Sequence, residues 1–279
     1  MKRFSLSVAD TVINILPKGA LYTGDRRMYG LLKGFYGSFL RERVEEKRDI
    51  DLEVRALDRR SIAERRRSAN VRGDGRVRYA LNDAFLEYAP KVKKAVMFVP
   101  EEKNDVAGYF ITIQYMLLFL STILGADRSQ IILHAAGAVV NGKGSVFVGR
   151  SGAGKTTICS LIGGSHVFSD DVTVIQRTCR RYYLRRSPFR EFDGGVPKTS
   201  ADRAPLEAVY FMEKSKRNSV KRLSAREALP RMLSEGLFFS EESSPAERRY
   251  YFEYCHMMLR HVPAFRLRFR NDRSVNSVL

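Results

Sequence analysis

The sequence predicts an α/β protein: a mixed-sheet domain built around a glycine-rich phosphate loop, preceded by a smaller α/β module. Three observations carry this expectation. Short apolar or alternating runs of strand length outnumber helical ones along the chain. A complete G-x-x-x-x-G-K-[ST] match lies between an apolar, strand-like run and a helical one. The texture also changes near residue 128, which divides the chain into an N-terminal module of residues 1–127 and a loop-bearing domain of residues 128–279.

Taken in order, Phe4 to Leu16 alternates loosely, as strands do, and the basic start MKRF lacks the clean apolar run of a signal peptide. Met28 to Leu40 has helical or loop character. Asp51 to Leu57, Arg76 to Leu81 and Ala95 to Val99 read as strands. Between the first two, Asp58 to Arg78 is Arg-rich and reads as a solvated helix, a hairpin tip or a mobile loop. Val106 to Gly125 is the most apolar stretch, but its uninterrupted core is short for a bilayer and Thr112, Gln114, Ser121 and Thr122 dilute it. The expectation is a helix buried nearly all round, and no membrane span.

Beyond it, Ile131 to Val140 is an apolar strand, Asn141-Gly142 and Lys143-Gly144 signal a hairpin, and Ser145 to Val148 is the return strand. The loop and a short helix follow, then strands at His166 to Ser169, Val172 to Gln176, Arg181 to Leu184 and Leu206 to Glu213. Ala225 to Leu233 is helical, a longer helix follows Ser244-Pro245, and Phe265 to Arg270 is a final strand.

The 279 residues are 44% hydrophobic and 29% charged, which excludes a wholly disordered or fibrous chain. Lys and Arg number 49 against 31 Asp and Glu, a formal charge of +18. That excess favours anionic partners without choosing among nucleotides, nucleic acid, acidic peptides and membrane surfaces. Three separated cysteines make neither a disulfide framework nor a zinc pattern and fit a reducing, cytoplasmic setting. Nine arginines fall between Arg55 and Arg78; such a run is a solvated face or a dock for an acidic peptide or nucleic acid. No known RNA- or DNA-binding module accompanies it.

The loop reads Gly149-Arg150-Ser151-Gly152-Ala153-Gly154-Lys155-Thr156, with Thr157 next. Its glycines let successive backbone N–H groups turn inward around a phosphate. The following helix adds its positive end. Lys155 supplies a compact charge for the β- and γ-phosphates, and the Thr156 hydroxyl can ligate Mg²⁺. The expected ligand is therefore a nucleotide or polyphosphate, with Mg²⁺. Asp170 and Asp171 follow Lys155 by fifteen and sixteen residues, an interval of one short helix and one short strand that returns both acids to the mouth of the loop. One can hold Mg²⁺ and the other can accept a proton from an attacking hydroxyl. His134, in the strand paired through the hairpin with the one feeding the loop, can orient or tune one of them. Arg190 or Lys198 could reach a transferring phosphoryl group.

The run from Leu133 to Ile175, LHAAGAVVNGKGSVFVGRSGAGKTTICSLIGGSHVFSDDVTVI, resembles the catalytic domain of the HPr kinase/phosphorylase family, and more closely its shorter bacterial relatives. The shared features are the histidine before the hairpin, the S-G-x-G-K-[ST] loop and the Asp-Asp pair. SPFRE, from Ser187 to Glu191, and the segment near PLEAVYFMEKS look like those relatives as well, so the similarity spans about residues 130–235. It implies a phosphoenolpyruvate carboxykinase-like, HPr kinase-like fold. It further implies an ATP-dependent kinase that phosphorylates a hydroxyl, most readily serine in a peptide or protein; some related kinases act on ribosomally made peptide precursors. By the same resemblance Asp170 is the general base, His134 hydrogen-bonds and tunes it, and Thr156, Asp171 and Glu191 serve the metal. No counterpart of the family's L-E-[IV]-R-G-x-G signature follows the aspartates. The alternatives are a small-molecule kinase of the same fold and a nucleotide-gated binding module without catalysis. The acceptor and any homo-oligomer stay open.

Overall fold

The computed structural model describes residues 4–18, 32–42, 48–68, 75–81, 83–101, 106–126, 129–162, 166–189, 201–237 and 245–279, with 106–109 as backbone only. The chain divides into two compact units, Met1–Leu124 and Gly125–Leu279, where the sequence suggested a boundary at residues 127 and 128.

The first unit carries a seven-stranded mixed sheet. Its strands are β1 (Phe4–Val8), β2 (Thr11–Lys18), β3 (Leu40–Arg41), β4 (Ile50–Leu57), β5 (Val77–Leu81), β6 (Ala84–Ala89) and β7 (Lys94–Pro100), in the order β3-β1-β2-β4-β7-β6-β5. The β2–β4 and β4–β7 pairs are parallel and the others antiparallel. Alternation in IDLEVRAL appears directly as alternating burial along β4. The Arg-rich segment forms α1 (Arg59–Ser68), a solvated helix in which Ile62 alone is buried. Asp58 caps it, accepting from the Ser61 N–H at 2.9 Å. Residues 69–74 of that segment, and 28–31 of the aromatic one before β3, lie outside the described residues.

The apolar stretch forms α2 (Val106–Ala126). Met116, Leu117 and Leu120 are fully buried, whereas Ile111 and Tyr115, one turn apart, are 39% and 44% exposed. The helix is thus one-sided and not buried all round. Among the described residues no helix is long and apolar enough to cross a membrane.

The second unit holds β8 (Gln130–Val140), β9 (Lys143–Val148), α3 (Lys155–Ile162), β10 (Val167–Ser169), β11 (Val172–Thr178), β12 (Arg181–Arg185), β13 (Arg203–Lys214), β14 (Ser219–Leu223), α4 (Ala225–Glu235), α5 (Pro245–His261) and β15 (Ala264–Phe269). Strand β8 changes partner midway. Residues 130–134 pair with β11, and residues 135–140 pair with β9. Strand β13 does the same, pairing first with β12 and then with β9 and β15. The antiparallel β8–β9 hairpin turns at Asn141-Gly142, both with positive φ. Helices α4 and α5 bury Met232, Cys255 and Met258 against Leu133, Val148 and Phe211 on one face. Helix α3 buries Ile158 and Cys159 against Ala136, Ala138 and Phe147 on the other.

Strand β9 feeds the glycine-rich loop, and its penultimate residue Phe147 is fully buried and stacked on Tyr210, with ring centroids 5.3 Å apart. Phe147→Ala should lower stability by about 4 kcal/mol, and Phe147→Leu by about 1 kcal/mol, in urea unfolding followed by circular dichroism.

Candidate active site

The loop begins where β9 ends at Val148 and closes through the Ala153 N–H donating to Arg150 O at 3.0 Å. Gly152 and Gly154 hold φ values of +76° and +102°, left-handed conformations that suit glycine and turn the backbone into the first turn of α3. Helix α3 starts at Lys155, and its first bond runs from the Ile158 N–H to Gly154 O at 2.9 Å. Lys155 is only 6% exposed; its Nζ lies beneath the loop and donates to Gly149 O at 3.3 Å. Thr156 is exposed and Thr157 half-buried.

The acids sit in the bend between β10 and β11. Ser169 Oγ accepts from the N–H groups of Asp171 and Val172 at 3.4 and 3.0 Å, which sets the turn. Val172 lies opposite His134, and the Ala135 N–H donates to Asp171 O at 2.8 Å. The histidine backbone is held from the other side, its N–H donating to Gly236 O at 2.9 Å just beyond α4. This register places His134 Nε2 3.1 Å from Asp171 Oδ1 and 2.9 Å from Lys155 Nζ, with Lys155 Nζ 3.6 Å from the same carboxylate oxygen.

Those distances revise one expectation. The family resemblance paired His134 with Asp170, whereas the structure places its Nε2 against Asp171, whose carbonyl is tied to the neighbour of His134. Asp170 instead lies close enough to α3 for its charge, after burial, to help push the Cys159 thiol up to about 12. Burial works against a charged Asp171, but the hydrogen bond and charge of His134 and the charge of Lys155 outweigh it, so this carboxyl lies below the usual aspartate range. Nε2 has a single role at a time: as acceptor it serves Lys155, as donor it serves Asp171. Lys155 can donate to either, so its ammonium is the fixed element of the triangle.

Glu191, Arg190 and Lys198 lie outside the described residues. Among the described residues no three His, Cys, Asp or Glu side chains gather as a metal site. The sequence reading also passed over a cleft beside the loop, lined by Gly154, Thr157, Lys214, Ser215, Phe269 and Asn271. Its residues came from a final strand and a charge run, and only the parallel pairing of β13 with β9 and β15 brings them to the loop.

The second unit defines a mixed-sheet α/β protein with a glycine-rich loop between strand and helix, closed from below by a lysine, a histidine and a carboxylate. The chain belongs to the family described as SynChlorMet cassette protein ScmC, whose model matches residues 101–273 and so spans the loop, His134 and both aspartates. It is also similar to the Hpr(Ser) kinase/phosphatase from Coxiella burnetii, at 9% identity and a TM-score of 0.30, over 50% of this chain and 84% of that one. Comparison with curated proteins gives no match.

Because the native pKa of Asp171 is lowered, its carboxylate stabilises the fold fully above the unfolded value of about 3.9, and this contribution disappears as pH falls through the native value. In metal-free protein, Asp171→Asn should therefore cost about 3 kcal/mol at pH 7. The gap to wild type should shrink toward pH 3. Urea unfolding of both proteins at the two pH values checks this, and an unchanged gap would mean that the charge is not what matters.

Proposed function

We propose that the protein is an ATP- and Mg²⁺-dependent kinase that transfers the γ-phosphoryl group to a hydroxyl, with serine in a peptide or protein as the acceptor. The observation that carries this reading is the buried Lys155 ammonium. It is held 2.9 Å from His134 and 3.6 Å from Asp171, beside a loop in which Gly152 and Gly154 take positive φ. A buried cation beside a glycine-rich loop at the start of a helix suits a polyphosphate.

The two aspartates suit different tasks. Asp171, held ionised by His134 and Lys155, is a weak base and a good cation ligand. The exposed Thr156 hydroxyl is its natural companion. One carboxylate and one hydroxyl are few protein ligands, which fits Mg²⁺, an ion that fills its remaining positions with phosphate oxygens and water. Bound there, Mg²⁺ would neutralise phosphate charge. Asp170, the adjacent carboxylate at the same bend, would accept the proton of the attacking hydroxyl. Lys155 would exchange its contacts with His134 and Asp171 for phosphate oxygens, and Nε2 of His134 would then donate to Asp171 and hold it in place.

The test uses purified protein with ATP, Mg²⁺ and a pool of serine-containing peptides. Wild type should form phosphoserine. Asp170→Asn should lose at least about a hundredfold of that rate while still binding ATP, and Lys155→Ala should lose ATP binding. Tight ATP binding with no transfer to any acceptor, unchanged in Asp170→Asn, would favour a nucleotide-gated binding module in place of a kinase.

A further inference from the structure

Three parallel neighbours, β9, β13 and β15, end at the same edge of the sheet. Val148 is in register with Phe211, and Lys214 with Phe269. The chain leaves β9 as the glycine-rich loop, leaves β13 through Ser215, and leaves β15 through Arg270 and Asn271. Between these exits lies a cleft of about 240 Å³, lined by Gly154, Thr157, Lys214, Ser215, Phe269 and Asn271. We propose that this cleft seats the purine base of the nucleotide whose phosphates lie on the loop, which rests on the nucleotide reading given above.

Position is the first reason. Open α/β sheets take ligands outside the carboxyl ends of their strands, and this is the edge at which β9 passes into the loop. Size is the second. The volume falls below the roughly 300 Å³ at which pockets for whole ligands begin, so it suits one ring system with the phosphates outside it. Chemistry is the third. Phe269 supplies an aromatic wall set against the loop itself: a Cβ on Gly154 would stand 2.7 Å from its Cζ. The Asn271 amide offers a donor and an acceptor and the Lys214 ammonium offers donors, a set that matches the ring nitrogens and exocyclic group on a purine edge.

The walls are also fixed in advance. The Ser215 N–H donates to Phe269 O at 2.9 Å, which ties the two strand exits together. The Arg270 N–H donates to Asn218 Oδ1 at 2.7 Å, and Asn218 Nδ2 donates to Ser274 Oγ at 2.7 Å. Beside Lys214, Glu213 is engaged by Arg231 and Arg268 at 3.0 and 3.1 Å and so is not a competitor for its ammonium. A cleft braced in this way can bind a rigid ring with little ordering of its own residues.

The test is titration calorimetry of the full chain without metal, with ATP and with inorganic tripolyphosphate as ligands. Wild type should bind ATP more tightly than tripolyphosphate. Asn271→Ala, which removes the amide, and Ser215→Leu, which fills the cleft, should each weaken ATP about tenfold and leave tripolyphosphate unchanged. Retained tripolyphosphate binding shows at the same time that loop and fold are intact. Equal affinity of wild type for the two ligands, or wild-type ATP affinity in both variants, would overturn the assignment of the cleft. Wild type that binds neither ligand would overturn the nucleotide reading and the cleft together.

Discussion

A lysine ammonium taken out of water must find partners or give up its charge. Lys155 is that lysine here, and much of the second unit is arranged around it. It sits at the first position of α3, so the loop before it must bend sharply enough to bring its own carbonyl at Gly149 within reach. The other partners come from two strands, β8 and β11, whose register sets His134 beside Asp171. A slip of one residue between those strands would turn one of the two side chains to the opposite face and leave the ammonium buried with half its partners. Ser169, Gly236 and Ala135 add no charge, but each fixes a piece of backbone on which the geometry depends.

This arrangement also separates two adjacent residues of the same type. Asp170 and Asp171 are indistinguishable by composition and differ only in what the bend presents to each. One lies beside a histidine and a lysine, and the other lies near enough to α3 for its charge to help raise the Cys159 thiol. Neighbouring carboxylates with unlike surroundings can take unlike roles in one reaction, because surroundings set basicity.

Much of this was legible in the residues. The loop, the hairpin before it and nearly every strand of the second unit follow from local patterns: apolar runs, Asn-Gly, and alternation along β11 and β15. The burial of Ile50, Leu52, Val54 and Ala56 in β4 was equally readable. What escaped was non-local. Strand β6 is not legible in the short run AFLEYA; it forms by pairing with β7 on one side and β5 on the other. Strand β14 lies in a basic segment, SVKRL, whose exposed residues resemble a loop until β15 is placed beside it. The exposed Ile111–Tyr115 stripe of α2 could not be read from a run in which almost every residue is apolar. The choice between Asp170 and Asp171 as partner of His134 needed the bend between β10 and β11, which sequence spacing does not specify.

The midway change of partner in β8 bears on how the protein can vary. His134 is the last residue paired with β11, and Ala135 the first paired with β9. The strand therefore forks at the site, and Lys155 enters where its two neighbours part. The positions of the three groups follow from hydrogen-bonded ladders on either side of that fork and from the start of one helix. A substitution that loosens either ladder would therefore reach the distances on which the buried ammonium relies.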